Sequence, residues 1–500
     1  MGYQTVKYYS TRNEKPSANE MKTSAEVIIE GLAPDGGLYI PESIPQIDND
    51  FINKLRTLSY PERASEVLSL FLTDFTKDEL LEACEVAYSE EKFGASPAPV
   101  EKVGDNGILE LWHGPTKAFK DMALQLMPRL LSMSLEKTGV DKDALILVAT
   151  SGDTGKAALE GYADVPRTSI VVFYPVDGVS EIQKLQMATQ MGSNVYVCSI
   201  KGNFDDAQSG VKKIFGDSSV AKALAEKGVF LSSANSINWG RLAPQIVYYF
   251  SAYCDMLNST ELKLGDRLDV TVPTGNFGNI LAAYIAGRMG LPIGTLVCAT
   301  NKNNVLADYF TTGTYDKRRK FFTTVSPSMD ILISSNLERL LSLEYGADFC
   351  GSSMKNLSEN GVFDSDKAKY PKIFNNFVGI TCSEEQTKAT VAYYFDKYGY
   401  LLDPHTAVAA FCADEYKKSG SGNKMLVVST ASPFKFPHAV ADSLGIAQAG
   451  DDFECLEKIS EKTKVKIPKA ISGLKAENIR FRDVVPPEMM ADKVLEFSDK

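Results

Sequence analysis

The sequence has few of the residues that hold structural metal ions, and it has no closely paired cysteines. Its three histidines, His113, His405 and His438, form no HxxxH or HxH pair, and its eight cysteines form no CxxC pair. We therefore expect no zinc site and predict no bound metal. The cysteines are scattered, mostly in apolar runs, which predicts reduced, buried thiols in place of a disulfide framework.

Long apolar runs are missing as well. No stretch approaches the roughly 20 apolar residues that cross a bilayer, and residues 1–17, MGYQTVKYYSTRNEKPS, contain no apolar signal core. We therefore expect a cytoplasmic protein with no membrane partner. The formal net charge of −11 disfavours nucleic acid as a partner, but it does not prevent a small basic pocket from binding a phosphorylated metabolite.

The length and the hydrophobic pattern predict several domains. A chain of 500 residues exceeds one compact core, so two or three domains are expected. Residues 1–95 have helical patterns and predict a mostly helical N-terminal cap. From about residue 105, β-branched runs such as 144–150 and 169–175 alternate with helical stretches, which predicts an α/β fold with parallel strands covered by helices on both faces. Residues 302–370 have weak periodicity and predict an irregular insertion.

One stretch, ELWHGPTKAFKDMALQLMPRLL (110–131), places a lysine between a polar loop and an apolar helix. Apolar residues recur at helical spacing from Asp121 onward, so Lys120 stands at the start of the predicted helix, beside Phe119. The helix dipole and an apolar environment both favour the neutral amine, which is a nucleophile toward aldehydes. The alternative is an ordinary solvated lysine at a helix start.

Three strand ends carry unusual loops, and ligands in α/β sheets gather where strand ends meet helix N-termini. The first loop, ATSGDTGKAAL (149–159), lacks the GxxxxGK[ST] spacing of a nucleotide P-loop. It still offers polar groups suited to a carboxylate or a phosphate, which are Ser151, Gly152, Asp153 and Thr154. The alternative is a plain turn with a helix cap.

The second loop, VPTGNFGNILAA (272–283), is a glycine-rich turn that runs into a helix. It lacks GxGxxG, so we expect no dinucleotide site, but its backbone amides suit a single phosphate. The third, VVSTASPFKFPHAV (427–440), ends an apolar strand at Ser429 and Thr430, whose hydroxyls are candidates for a ligand contact. For both loops, ordinary turn or strand-end chemistry is the alternative.

A further stretch, SANSINWGRLAPQ (233–245), joins a strand to a strongly apolar helix. Asn235, Ser236 and Arg241 lie within about two helical turns, and arginine suits bidentate capture of phosphate. The alternative for Arg241 is a surface position. All three histidines and both tryptophans of the chain fall inside WHGPTKAFK, INWGR, LLDPHTAV and FKFPHAV, which favours functional sites at these stretches.

These blocks occur in one order, and together they resemble the threonine synthase family. The blocks that carry the resemblance are GLAPDGGLYIPE, HGPTKAFKD, ATSGDTGKAALEGY, YPVDGVSEIQKLQM, GNFDDAQ, NSINWGRLAPQIVYYF, PTGNFGNILAAY, LLDPHTAV and STASPFKFP. The family consists of pyridoxal-phosphate enzymes of fold type II, the tryptophan synthase β-like group, and the match is to its longer bacterial and fungal subclass. The resemblance implies two parallel-type sheets flanked by helices, with an N-terminal helical cap.

The resemblance also implies a division of the chain into domains. Residues 1–95 would form the cap, and residues 96–140 with 236–450 a large domain that binds pyridoxal 5'-phosphate. Residues 141–235 would form a smaller mobile α/β domain, and residues 451–500 a C-terminal α/β extension. The C-terminal part beyond residue 450 matches the family less specifically than the rest.

For the cofactor, the resemblance implies a role for each matching residue. Lys120 is similar to the lysine that forms a Schiff base, and Phe119 lies beside it. The cofactor's phosphate would rest in a cup formed by Gly275, Asn276, Phe277, Gly278 and Asn279. Thr430 is similar to the hydroxyl residue that hydrogen-bonds the pyridine nitrogen. Asp153 falls where the wider group has an asparagine near the cofactor's 3-oxygen, and its protonation state stays open.

For the substrate, the resemblance implies that Ser151, Gly152 and Thr154 bind a carboxylate or phosphate, and that Asn235, Ser236 and Arg241 bind the substrate's phosphate. The implied enzyme is a lyase, a monomer or homodimer, that converts O-phospho-L-homoserine and water into L-threonine and phosphate, the last step of threonine biosynthesis. Two alternatives remain: a phospholyase of the same fold that releases 2-oxobutyrate, and a non-catalytic protein that binds phosphorylated metabolites. The missing GxGxxG disfavours a nicotinamide dehydrogenase.

Overall fold

The computed structural model describes residues 5–150, 152–447 and 450–499. Its N-terminal part is mostly helical and contains one short antiparallel strand pair. The N-cap residues Thr23, Ser59 and Thr76 each pair with a glutamate three residues later, a capping box that satisfies free N–H groups at a helix start. The elements are β1 (Tyr8–Ser10), α1 (Ser24–Glu30), β2 (Tyr39–Pro41), α2 (Asn49–Leu55), α3 (Tyr60–Leu68), α4 (Lys77–Ala87) and α5 (Glu90–Phe93).

From Val100 to Asn258 the chain builds the edge of one sheet and most of another. The first elements are β3 (Val100–Val103), β4 (Asn106–Glu110), α6 (Asp121–Leu124) and α7 (Met127–Lys137). Alternating strands and helices follow, which are β5 (Asp143–Ala149), α8 (Asp153–Tyr162), β6 (Thr168–Pro175), α9 (Glu181–Ala188), β7 (Val195–Ile200), α10 (Phe204–Gly216), α11 (Ser218–Glu226), β8 (Val229–Ser232) and α12 (Trp239–Asn258).

The remaining elements complete both sheets. The central ones are β9 (Leu268–Pro273), α13 (Gly278–Met289), β10 (Ile293–Thr300), α14 (Val305–Thr312), β11 (Thr314–Asp316), α15 (Leu337–Tyr345), α16 (Ala347–Asn360), β12 (Val362–Asp364), α17 (Pro371–Asn376) and β13 (Phe377–Thr381). The last ones are α18 (Glu384–Tyr398), α19 (Pro404–Lys417), β14 (Lys424–Ser429), α20 (Pro437–Ser443), α21 (Asp452–Thr463), α22 (Lys469–Ser472), β15 (Val484–Val485) and α23 (Met490–Phe497).

The larger sheet has the strand order β13-β10-β9-β14-β4-β3. Its strands are parallel except for the edge strand β3, which pairs antiparallel with β4. Val270 and Val272 of β9 pack with α13 in one apolar cluster, whereas Val427 of β14 packs with α19 in another. Helices on both faces explain why β9 is buried along its whole length.

The smaller sheet has the order β15-β7-β6-β5-β8, and its paired strands are parallel. Side chains of β6 alternate between two apolar clusters, because successive residues of a strand point to opposite faces. Ile170 and Val172 join the cluster that contains α8, and Val171 and Phe173 join the one that contains α10, α11 and α23. The C-terminal part of the chain therefore completes this sheet.

The predicted α/β fold, with helix-flanked parallel sheets and an N-terminal helical cap, is confirmed. The prediction for residues 302–370 was wrong. The segment 302–370 is not irregular, because it contains α14, α15 and α16 and the antiparallel pair of β11 with β12. The domain limits stay a prediction. Within the residues that the structure describes, no helix is both long enough and apolar enough to span a bilayer.

Candidate active site

The loop that leads to Lys120 is closed by a buried aspartate. Asp121 accepts hydrogen bonds from the backbone N–H of Thr116 at 2.8 Å and from its hydroxyl at 2.7 Å. Burial raises the pKa of Asp121 to about 6, against the lowering effect of these hydrogen bonds. A Cβ on Gly114 would lie 2.5 Å from Asp121, so only glycine fits where the loop folds back.

The same loop is fastened to the end of β14. The N–H of Phe119 donates to the carbonyl of Thr430 at 2.8 Å, and the N–H of Ser432 donates to the carbonyl of Lys117 at 3.0 Å. Phe119 is partly buried against the main apolar cluster. These bonds bring Lys120 and Thr430, which are far apart in sequence, to neighbouring positions at the edge of the larger sheet.

The predicted continuous helix after Lys120 is wrong. α6 ends at Leu124 and α7 begins at Met127. Pro128 has no N–H to donate to the Leu124 carbonyl and its ring crowds that oxygen, which disfavours a continuous helix at this point. The freed carbonyl faces α8, where a Cβ on Gly161 would lie only 1.8 Å from it.

Lys120 is partly buried and its amine is biased toward the neutral form. Burial lowers the pKa of Lys120 to about 8, Asp153 opposes the shift, and Arg241 and Lys435 add to it. Because α6 is only four residues long, its dipole is a weak cause compared with burial. The predicted neutral bias is therefore present, but its main cause is burial together with the two nearby cations.

The loop before α8 is organised by Thr150. Its hydroxyl accepts the N–H groups of Gly152 and Gly155, both at 3.0 Å, and Gly152 has φ 146°, which favours glycine. Asp153 is buried and Thr154 is partly exposed in the first turn of α8. The predicted site residue Ser151 lies outside the described residues.

Asp153 is bound by two side chains that the sequence prediction missed. The ammonium of Lys435 lies 2.8 Å from Asp153 Oδ1, and the amide of Gln183 donates to the same oxygen at 2.9 Å. Burial alone would raise the pKa of Asp153, but the Lys435 and Lys120 ammoniums outweigh it and hold the pKa well below its usual range. Asp153 is therefore an ionised carboxylate, which answers the question left open by the sequence.

The glycine-rich loop turns at Phe277, whose φ of 65° is a left-handed conformation that is strained for a bulky residue. α13 begins at the next residue, Gly278, so N–H groups of its first turn face the loop. Asn279 Oδ1 accepts from the hydroxyls of Tyr248 and Tyr249. Its Nδ2 is buried without a hydrogen-bond partner among the described residues, which leaves one amide donor for a ligand.

Two residues just before α15 brace this loop. The Gly275 carbonyl accepts from the Ser334 hydroxyl at 2.8 Å, and the Asn276 carbonyl accepts from the Asn336 N–H at 3.1 Å. Asn276 itself is exposed. The sequence predicts neither brace, because both residues lie in the segment 302–370, whose periodicity is weak.

Arg241 lies in the first turn of α12 and is buried. Its Nη1 donates to the carbonyl of Ala234 at 2.8 Å, while its Nε has no partner among the described residues. Burial lowers the pKa of Arg241 to about 10, since no carboxylate within the described chain pairs with it. In the preceding loop, Asn235 is exposed and Ser236 is partly exposed. The predicted surface alternative for Arg241 is therefore wrong.

The two hydroxyls at the end of β14 differ in availability. Ser429 Oγ accepts from the indole N–H of Trp112 and from the Thr406 hydroxyl, both at 2.9 Å. The Thr430 hydroxyl has no hydrogen-bond partner among the described residues. Of the two candidates, Thr430 is therefore the one that is free to contact a ligand.

The site combines the amine of Lys120, whose pKa is lowered, with the ionised carboxylate of Asp153. It also contains unpaired donor atoms of Arg241 and Asn279, which suit anions. A ligand with an aldehyde and a phosphate fits it, because Lys120 condenses with an aldehyde and Asn279, at the start of α13, offers N–H groups to a phosphate. Across the described residues, no group of three or more His, Cys, Asp or Glu side chains is arranged to hold a metal ion.

Known proteins similar to this chain share most of its length. "Threonine synthase-like 1" of Homo sapiens is 41% identical over 461 residues, which cover 89% of this chain and 61% of that protein. "Threonine synthase" of Pseudomonas aeruginosa is 40% identical over 456 residues, 89% of this chain and 91% of that protein. A crystal structure of pyridoxal-phosphate-bound threonine synthase from Brucella melitensis has a TM-score of 0.87 at 36% identity, covering 99% and 100% of the two chains. The chain thus spans about three fifths of the human relative's length.

Three family models match the chain. They are "Threonine synthase N terminus" over residues 7–88, "Pyridoxal-phosphate dependent enzyme" over residues 108–431 and "Threonine synthase, C-terminal" over residues 406–491. The fold and the site thus define a pyridoxal-phosphate dependent enzyme. Within that class, the chain belongs to the threonine synthase family, and the resemblance drawn from its motifs is confirmed.

Proposed function

We propose that the chain converts O-phospho-L-homoserine and water into L-threonine and phosphate, with pyridoxal 5'-phosphate bound at Lys120. The proposal rests on the amine of Lys120, whose pKa is lowered, and on two buried donor atoms that have no hydrogen-bond partner among the described residues. These donors belong to Arg241 and Asn279. Unpaired buried donors are costly unless a ligand accepts from them. The phosphates of the cofactor and of the substrate are anions of the required kind.

When bound, pyridoxal phosphate supplies an aldehyde that condenses with amines and a conjugated ring that delocalises the charge left by proton removal. Lys120 would hold the aldehyde group of this cofactor. In the ligand-free chain burial lowers the pKa of Lys120 to about 8, so part of this amine is neutral near physiological pH, and the neutral amine is the base that would accept the substrate's α-proton. The same amine would take a β-proton as the γ-phosphate leaves, and would return protons to the γ-carbon and to the α-carbon as water adds at the β-carbon.

Two helix N-termini orient the substrate in this proposal. Arg241 and the first turn of α12 bind the substrate's phosphate, with Asn235 and Ser236 beside them, because a guanidinium and a helix N-terminus both attract an anion. Gly152 and Thr154 at the start of α8, together with Ser151, bind its carboxylate. Gly275 to Asn279 hold the cofactor's phosphate, and Thr430 donates its hydroxyl to the pyridine nitrogen.

We also infer that the smaller unit, residues 141–235, closes over the substrate. α8 carries Asp153 and Gly152 from this unit, whereas Lys120 and the phosphate cup belong to the larger one. Closure would exclude water until the γ-phosphate has left. A cytoplasmic location and a monomeric or homodimeric state complete the proposal, and the absence of paired cysteines supports the first of these.

A phospholyase that releases 2-oxobutyrate from the same substrate is the second candidate. Incubating the purified protein with pyridoxal phosphate and O-phosphohomoserine separates the two activities. Threonine as the main product supports the proposal, and 2-oxobutyrate as the main product overturns it.

Cofactor binding at Lys120 is tested by the visible absorption that pyridoxal phosphate acquires when it condenses with a lysine. We expect Lys120→Ala to abolish this absorption. Lys117→Ala is the matched control, because Lys117 lies three residues away in the same loop and, among the described residues, its ammonium bonds only the carbonyl of His113, at 2.8 Å. Absorption that persists in Lys120→Ala would mean that another amine binds the cofactor, and a wild type without this absorption would support a protein that uses the site without this chemistry.

A further inference from the structure

Lys435 lies at the junction between the two sheets. Its ammonium is fully buried and contacts Asp153 Oδ1 at 2.8 Å and the carbonyl of Thr116, also at 2.8 Å. Asp153 opens α8 of the smaller sheet, whereas Thr116 belongs to the loop that leads to Lys120. One ammonium therefore connects the two halves of the candidate site.

The carboxylate of Asp153 is held from the other side as well. Gln183 of α9 donates to it at 2.9 Å, and the Gln183 side chain occupies the space above Gly152, where a Cβ would lie 2.4 Å from its amide nitrogen. Lys435 supplies the contact from the larger sheet and Gln183 the contact from the smaller one. The position of the carboxylate is thus fixed between the two units.

We propose that Lys435 is a positioning residue that fixes an anionic Asp153 at the cofactor site and balances the charge that this carboxylate imposes on Lys120. The inference rests on the proposed function, since it assigns a role within the same site. The proposed role of Lys435 differs from that of a merely structural ion pair, because the reactivity of the Lys120 amine then depends on Lys435.

The charges around Lys120 determine whether loss of Lys435 raises or lowers the pKa of Lys120. Asp153 and Asp121 favour its ammonium form, whereas Arg241 and Lys435 favour the neutral amine. Removal of the Lys435 charge deletes one of the two cations and leaves Asp153 unpaired. Both changes stabilise the ammonium form, so the pKa of Lys120 rises and its neutral fraction at pH 7 falls.

The test is the rate at which the full-length protein, freed of cofactor, condenses with pyridoxal phosphate as a function of pH, followed by visible absorption. For the wild type we expect a midpoint near pH 8. For Lys435→Met we expect a midpoint about 1 unit higher and a rate at pH 7 about tenfold lower, since each pKa unit changes the neutral fraction tenfold. Lys435→Arg should restore most of the rate. An unchanged midpoint in Lys435→Met would overturn the proposal.

Lys156→Met is the matched control, because Lys156 also forms a largely buried ion pair on α8, with Glu160 at 2.8 Å. Its loss removes a lysine from the same helix without touching Asp153, so the midpoint should stay at the wild-type pH. A shift of equal size in Lys156→Met would mean that any loosening of α8 acts on Lys120, and would contradict a specific role for Lys435.

A second pair of variants covers the case in which Lys435→Met does not fold, since it leaves Asp153 buried without a cation. Asp153→Asn and the double variant Asp153→Asn with Lys435→Met contain no such carboxylate. The midpoint should be about 1 unit higher in the double variant, and identical midpoints would refute the proposal. Failure of the proposed function gives a different result. In that case the wild type shows no visible absorption that is lost in Lys120→Ala.

Discussion

Arg241 is a buried cation without a carboxylate partner in the described chain, and its Nε donates to no group there. Replacement by methionine removes an unpaired buried charge together with one hydrogen bond. We therefore expect Arg241→Met to change the free energy of unfolding of the ligand-free protein by less than about 1 kcal/mol. Binding of O-phosphohomoserine should weaken by roughly tenfold to a hundredfold, the range for a hydrogen bond to a charged group.

Denaturant unfolding and equilibrium binding, measured on the same preparations, check this prediction. Arg63→Met is a contrasting control, because Arg63 is also buried but pairs with Asp255 at 2.7 Å. That variant should lose stability, since it leaves an acid partly buried alone, and should keep its substrate affinity. A loss of stability in Arg241→Met comparable to that in Arg63→Met would identify Arg241 as structural.

The chemistry of residues in local motifs could be predicted from the sequence. The residues that contact them from distant parts of the chain could not. Lys120, Arg241 and Asn279 each belong to a short stretch whose composition indicates its chemistry. Lys435 lies in FKFP, beside Thr430, but nothing in its spacing indicates that it will meet Asp153. The protonation state of Asp153 depends on that meeting, so the sequence leaves it open.

The element with the widest influence on the site is α15. Its Arg339 is fully buried and donates to the carbonyl of Tyr39, to the carbonyl of Ile237 and to Asn336. These contacts connect the N-terminal cap, the loop before α12 and the brace of the phosphate cup. Burial lowers the pKa of Arg339 to about 9, yet its guanidinium, unlike that of Arg241, has three acceptors.

We expect Arg339→Met to destabilise the protein by about 3 kcal/mol, because it leaves several buried carbonyls without donors. The affinity for pyridoxal phosphate should fall in the same variant, since Asn336 loses the group that orients it. Urea unfolding and a cofactor titration measure the two effects. Arg319→Met, which removes a partly exposed pair with Asp308 at 2.6 Å in the same segment, should leave both nearly unchanged. Unaltered stability in Arg339→Met would contradict the bracing role.

Element boundaries near the site show where local patterns are insufficient. The apolar spacing of residues 121–131 fits one helix, but the structure has two, α6 and α7, with Pro128 in the first turn of the second. Proline disfavours a helix at this point, yet Pro244 lies inside the unbroken α12, so the proline alone could not have predicted the break. The segment before α15 is different. Its order comes from polar contacts such as Asn301 and Asn303 with Asp330, which have no periodic signature in the sequence.

At the scale of the whole molecule, the chain returns to complete a sheet that it began some three hundred residues earlier. β15 pairs with β7, and the N–H of Ser199 donates to the carbonyl of Asp483 at 3.0 Å. Met490 and Val494 of α23 are buried in the apolar cluster of α10 and α11. The sequence predicts a closing α/β element at this end, but not that the element belongs to the smaller unit.

This arrangement predicts that the C-terminal residues stabilise the smaller unit selectively. Deletion of residues 483–500 uncovers the edge of β7 and the apolar faces of α10 and α11, so local unfolding there becomes more frequent. Hydrogen exchange should accelerate by about tenfold or more in β7 and α10 and stay unchanged in β9 and α13. Deletion of residues 498–500 alone retains β15, Met490 and Val494, and should leave exchange in β7 close to that of the intact chain. Uniform acceleration across both sheets would mean that the two units unfold as one body, and would contradict a selective role of the C-terminal residues in the smaller unit.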